Sequence, residues 1–180
     1  MGRKSMSARQ CEIAAESYTA SLLARAGFDV LVQYGANQPD YDLVAEKDGR
    51  FLPISVKGSQ DGGWMLAVRY VKPGVNYLEA IQAWLAAQRD DIVFFLVQFV
   101  NVGIDESPRV YVARPPEMAS YMSSQRYGQG HGSLQEDFRR DHPKSKYNHT
   151  MPTEWRFSES RIDRILQEHG SVRSKPSRPE

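Results

Sequence analysis

Pro39-Asp40-Tyr41-Asp42-Leu43-Val44-Ala45-Glu46-Lys47-Asp48-Gly49-Arg50-Phe51-Leu52-Pro53-Ile54-Ser55-Val56-Lys57-Gly58 is the most informative stretch of this 180-residue chain. An Asp-Gly pair between two alternating apolar runs is a strong short-range hairpin signal. With the turn centred on Asp48-Gly49, Glu46 lies opposite Phe51, Leu43 opposite Ile54 and Asp42 opposite Ser55. Successive strand residues point to opposite faces. One face therefore carries Tyr41, Leu43 and Ala45 against Leu52, Ile54 and Val56, and every residue on it is fit to pack on helices. The other carries Asp40, Asp42 and Val44 against Pro53, Ser55 and Lys57. Two carboxylates, a hydroxyl and an ammonium gather on that second face, because opposed side chains sit about 4.5–5.5 Å apart at Cβ. Pro53 cannot donate to a ladder and predicts an edge or a bulge.

Upstream, Cys11, Ala14, Ala15, Tyr18, Leu22 and Ala26 recur at helical spacing and predict a helix over Ser7 to Ala26, ended by Gly27. Phe28 to Tyr34 reads as a strand and Gly35 to Pro39 as a turn. Downstream, Trp64 to Tyr70 reads as a strand and Val75 to Gln88 as a helix. Asp91 to Val100 is a dense apolar run typical of a central strand. Arg109 to Ala113 predicts a strand, Pro115 to Ser124 a helix with proline in its first turn. The pattern then fails over Gln125 to Pro152, a long polar loop of the kind that is functional or disordered. Trp155 to Phe157 reads as a short edge strand, Ser158 to His169 as a last helix and 171–180 as a disordered tail. Residues 1–170 form one domain on this reading.

The patch around Asp42 has a chemical use. Phosphodiester cleavage needs a hard cation that stabilises charge on the phosphate and activates water. Mg²⁺ takes one or two carboxylates, with waters and substrate phosphate completing its shell. A nearby lysine orients the nucleophile or stabilises the developing negative charge. The bland reading is a solvated hairpin face with weak surface ion pairs.

The order of elements resembles the PD-(D/E)XK nuclease superfamily: a helix with an acid at Glu16, a strand, the Asp-bearing strand Pro39-Asp40-Tyr41-Asp42-Leu43-Val44-Ala45, then Ile54-Ser55-Val56-Lys57-Gly58-Ser59-Gln60. The spacing is similar to that of small Holliday junction resolvase-type domains, and the resemblance covers about residues 8–115. It implies an α/β fold of the restriction-endonuclease-like type, a central mixed β-sheet flanked by helices. It implies Mg²⁺ (or Mn²⁺)-dependent hydrolysis of DNA, branched or damaged DNA included, in a protein that can work as a homodimer; the sequence leaves linear, branched and RNA substrates open. Asp42 matches the metal-binding aspartate, Lys57 the catalytic lysine and Glu16 the helix glutamate. The Val56 carbonyl is a further implied ligand, and Asp40 is a helper ligand or a turn residue. Ser55 departs from the pattern, standing where the family usually has Asp or Glu. The alternative is a domain that keeps the fold and binds nucleic acid or a protein without cutting.

Composition narrows the remaining classes. The net charge is +1 and the apolar share 41%, so a nucleic-acid surface must come from local patches. Candidates are Arg139, Arg140, Lys144 and Lys146 in the long loop, Arg69 and Lys72 after the fourth strand, and Gln60 beside Lys57. Gly58 is expected to let substrate approach the backbone. Cys11 is the sole cysteine and lies on the apolar helix stripe, as a core residue does. The four histidines (131, 142, 149 and 169) lack cysteine partners at zinc spacing and read as loop or surface residues. No phosphate-cradling glycine loop or Gly-x-Ser-x-Gly elbow occurs. Met1 to Gln10 has no apolar run and Ile92 to Val100 is too short to span a bilayer, so a cytoplasmic, soluble protein is the expectation.

Overall fold

The computed structural model describes residues 5–32, 41–138 and 149–171. Helix α1 spans Ala8–Arg25 and starts on a capping box in which the Ser7 hydroxyl takes the Gln10 N–H and the Gln10 side chain takes the Ser7 N–H; each satisfies a donor the helix leaves orphaned. Its buried line is Cys11, Ala15, Thr19 and Leu23, shifted by a few tens of degrees from the predicted stripe.

Strands β1 (Asp29–Val32), β2 (Leu43–Lys47) and β3 (Arg50–Ser59) form an antiparallel meander. The β2–β3 register is the one expected, Leu43 on Ile54 and Glu46 on Phe51. Asp48 and Gly49 both have positive φ, 54° and 75°, as the tight hairpin turn that matches strand twist requires. Pro53 lies neither at an edge nor in a bulge: β3 is an interior strand with regular pairing. The Ile54 carbonyl accepts the Asp42 N–H at 2.8 Å, so Ile54 faces β2 and Pro53, one residue away, faces the other side. There the neighbouring strand begins only opposite Ile54, and Pro53 forfeits no ladder bond.

After a short β4 (Gly63–Met65) and a 3₁₀ turn at Val68–Tyr70 comes helix α2, Tyr77–Ala86. The predicted strand over Trp64–Tyr70 is thus three residues long, because the backbone of Ala67 already turns out of extended geometry (φ −91°, ψ −4°). Strand β5 (Val93–Gln98) runs parallel to β3, and β6 (Arg109–Ala113) antiparallel to β5. The sheet order is β1-β2-β3-β5-β6.

Helix α3, Pro115–Gly128, is broken near its end, with Arg126 and Tyr127 in left-handed geometry. Part of the predicted loop is strand: β7 (Ser133–Gln135) pairs with β4, and β8 (Asp137–Phe138) with β9 (His149–Thr150). Trp155–Phe157 is no strand either. Trp155 closes a 3₁₀ turn at Thr153–Trp155, and the following Arg156 meets β6 through one bridge, to Tyr111. Helix α4 is Glu159–Ser171.

The sheet is covered on both faces, as a strand like β5, buried at all six positions, requires. Val93, Phe95 and Val97 pack with Leu23 of α1 and Ile162 and Ile165 of α4. Phe94 and Leu96 pack with Trp84 of α2 and Met118 of α3. Leu43, Ala45, Leu52, Ile54 and Val56 belong to the first layer as expected. Tyr41 packs in the second instead, because β2 begins only at Leu43 and the alternation does not extend back to it. Among the described residues no helix is long and apolar enough to cross a membrane.

Candidate active site

Asp42 precedes β2 by one residue and is held at both ends. Its N–H donates to Ile54, and its Oδ2 accepts the Val56 N–H at 2.6 Å and the Ser55 hydroxyl at 3.3 Å. A carboxylate bonded to backbone N–H is a strong, short contact, so the side chain is oriented before any ligand arrives. Since Val56 turns its N–H toward Asp42, its carbonyl faces the same edge of β3, beyond the point where β2 has begun its pairing. Ser55 is buried, 5% exposed. Lys57 is exposed and its carbonyl accepts the indole N–H of the buried Trp64 at 2.8 Å.

Glu16, on α1, feels the charges of this group. Burial, then the negative charges of Asp42 and Glu12, push its carboxyl above the usual range, with Arg9 and Lys57 acting in the opposite direction. Tertiary packing therefore brings Glu16, Asp42 and Lys57 into one electrostatic neighbourhood. Glu12, one turn earlier, lines the adjoining groove and is paired with Arg9 at 3.0 Å.

Two grooves meet here. The larger, about 1000 Å³, runs between the start of α1, the end of β3 and the β4–β7 ribbon. The smaller, about 330 Å³, is floored by Phe94 and Trp84. Asp42, Lys57, Met65 and Leu66 line both and form the ridge between them.

Other predicted residues are placed differently. The amide of Gln60 is taken up by Met6, whose N–H it accepts at 2.9 Å and whose carbonyl it bonds at 2.6 Å; it ties the chain before α1 to the groove rim. Gly58 lies within β3 and lines the larger groove, and it also seats α1: a Cβ there would meet the Cys11 carbonyl at 2.8 Å and the Ala15 Cβ at 3.0 Å. Cys11 is buried against it, and burial raises its thiol pKa, as suits a core residue. Arg69 lines the smaller groove, stacked on Tyr70. Lys72 is exposed and lines neither groove. Asp40, Arg139, Arg140, Lys144 and Lys146 lie outside the described residues.

Met65, Arg89 and His131 line the grooves without having been singled out. His131 was read as a loop residue; its Nδ1 lies 3.1 Å from the Ser133 hydroxyl. The strand expected over Trp64–Tyr70 overlaps β4, but its partner β7 is some 70 residues away in the stretch read as loop, so the pairing that makes this wall left no local trace.

A metal is tested by the donors present. Among the described residues no group of three His, Cys, Asp or Glu side chains is spaced to hold an ion. The residues that would hold an ion are Asp42 through its carboxylate, Val56 through its carbonyl and Glu16 from α1, all hard oxygens. Mg²⁺ is content with one or two carboxylates, and carboxylate and carbonyl oxygens suit Mg²⁺ or Mn²⁺. Ser55, a neutral hydroxyl, adds no negative charge to this set.

No protein-family model and no curated protein matches the chain. Two solved structures align with it over most of their length. A bacterial homing endonuclease, I-Ssp6803I, has 16% identity and a TM-score of 0.47, covering 93% of this chain and 97% of its own. The Holliday junction resolvase Hjc of Archaeoglobus fulgidus has 13% identity and a TM-score of 0.34, covering 88% and 99%. The topology itself, α1 followed by antiparallel β1-β2-β3, then α2 and a β5 parallel to β3, makes this an α/β chain of restriction-endonuclease-like fold.

Proposed function

We propose that this protein hydrolyses phosphodiester bonds of DNA with a divalent metal, Mg²⁺ or Mn²⁺. The observation that carries the proposal is that Asp42 and Lys57 both line the two grooves where these meet, with Glu16 of α1 feeling the charge of both. Asp42, the Val56 carbonyl and Glu16 would hold the ion. Bound there, it supplies Lewis acidity toward the phosphate and lowers the pKa of water. The Val56 N–H fixes which way the Asp42 carboxylate points. Lys57 holds the attacking water by hydrogen bonding and offsets the negative charge that grows on the phosphate.

The test is nicking of plasmid and branched DNA in Mg²⁺ or Mn²⁺, with Lys57→Ala as control. Activity lost in the variant supports the proposal, and equal activity in both ends it. Ser55 favours a second reading: with a hydroxyl in place of a carboxylate, the same site can bind DNA without cutting it. Salt-dependent DNA binding with no cleavage in either metal is the result that selects that reading.

A further inference from the structure

The smaller groove differs in kind from the larger one. Its floor is aromatic, Trp84 and Phe94, and its rim carries Arg69, Gln88 and Arg89. Both guanidiniums are held in place. Arg69 lies 5.0 Å over the Tyr70 ring, while Arg89 lies 5.6 Å over Tyr41 and pairs with Asp91 through two bonds of 2.9 and 3.0 Å. At about 330 Å³ the space is near the lower bound for small-molecule pockets, about 300 Å³. It suits one nucleotide and excludes a duplex.

Met65 stands at its mouth. It is 83% exposed, between Trp64 at 4% and Leu66 at 7%. Its strand is pinned by pairing with β7, by the Trp64 indole on the Lys57 carbonyl and by the Ala67 N–H on Gly132 at 2.8 Å. A single exposed apolar side chain is ordinary on a protein surface. This one is rigidly mounted on the ridge beside Asp42 and Lys57. Apolar side chains in such positions insert between base steps, and bases taken out of the stack need a pocket of their own.

We propose that the smaller groove is a nucleotide subsite. It receives one unpaired nucleotide next to the cleaved phosphate, with Met65 as the wedge that keeps it out of the stack and Arg69 and Arg89 as contacts to its phosphate. The substrate class is then DNA with a bulged, mismatched or junction nucleotide. Unstacking costs least where a base is already unpaired, so preference for such DNA follows. Only the position of the cleaved phosphate rests on the nuclease reading.

The experiment compares two DNA duplexes, one fully paired and one with a single unpaired 2-aminopurine, bound in Ca²⁺ in place of Mg²⁺. The expected result is at least tenfold tighter binding of the unpaired duplex and shielding of its 2-aminopurine from acrylamide quenching. Met65→Ala, with unchanged melting, should lose both preference and shielding while still binding paired DNA. Arg69→Gln should weaken binding and lower the salt slope by about one. Equal affinity for the two duplexes, binding to neither, or a Met65→Ala protein that keeps the preference overturns the proposal. Preference without Mg²⁺-dependent nicking sinks the nuclease reading alone; nicking without preference sinks the subsite alone.

Discussion

The carboxylate of Asp42 and the backbone N–H of Val56 are joined at 2.6 Å across the open end of the β2–β3 hairpin. This bond both satisfies a strand-edge donor and aims the carboxylate. The two roles separate on mutation. Asp42→Ala leaves the Val56 N–H unpaired and should cost about 1–3 kcal/mol. Asp42→Asn keeps an acceptor and should cost less than half of that. Both should abolish Mn²⁺ binding. Chemical denaturation and calorimetric metal titration of the two variants check this, and retained Mn²⁺ affinity in Asp42→Asn would remove Asp42 from the ligand set.

Ser55 offers the reverse experiment. Its hydroxyl lies 3.3 Å from Asp42 Oδ2 and is nearly sealed from solvent. Ser55→Asp places a second carboxylate there. Without metal the like charges should destabilise the fold by about 1–3 kcal/mol. With Mg²⁺ the loss should be recovered, and the metal should bind at least tenfold tighter than in the parent. Melting with and without Mg²⁺ measures both; a variant equally unstable in each condition would show that this position does not face the ion.

Gly58 couples the helix to the sheet. Gly58→Ala drives a methyl into the Cys11 carbonyl and Ala15, backbone and short side chain that cannot swing aside. Overpacking of this kind costs about 1–3 kcal/mol. Because α1 carries Glu16, metal affinity should fall as well. Unchanged stability would mean that α1 lifts off the sheet without penalty.

Glu136 gives the pH dependence. Burial acts to raise its pKa, but hydrogen bonds from Arg109 (2.5 and 2.7 Å) and Tyr111 (2.7 Å), with the charge of Arg109, outweigh it and hold the carboxyl below its usual 4.5. The Tyr111 hydroxyl is pushed up to about 12, by burial first and then by Glu136. A depressed carboxyl stabilises the fold above the unfolded-state pKa and loses that contribution as pH falls through the folded one. Glu136→Gln should therefore be about 2 kcal/mol less stable at pH 7, with the gap to the parent closing below pH 4.5. Denaturation from pH 3 to 8 tests this; a gap independent of pH would assign the effect to packing.

Much of the architecture was written into local pattern. The Asp48-Gly49 turn, the alternation of Leu43–Ala45 and Leu52–Val56 on either side of it and the dense apolar run of 91–100 sufficed for the hairpin register, the placing of Ser55 beside Asp42 and the buried strand. These are properties of neighbours in the chain: a turn type admits one register, and a period of two admits one inward face. What only the tertiary structure decided lies at long range. It set Glu16 under the charge of Asp42, spent Gln60 on Met6, turned Gly58 into a seat for α1 and raised Met65 on a wall built from strands some 70 residues apart. The physical reason is that each of these depends on which surfaces bury one another. That is settled by the summed burial of two core layers, and it leaves no periodic mark in the residues that end up side by side.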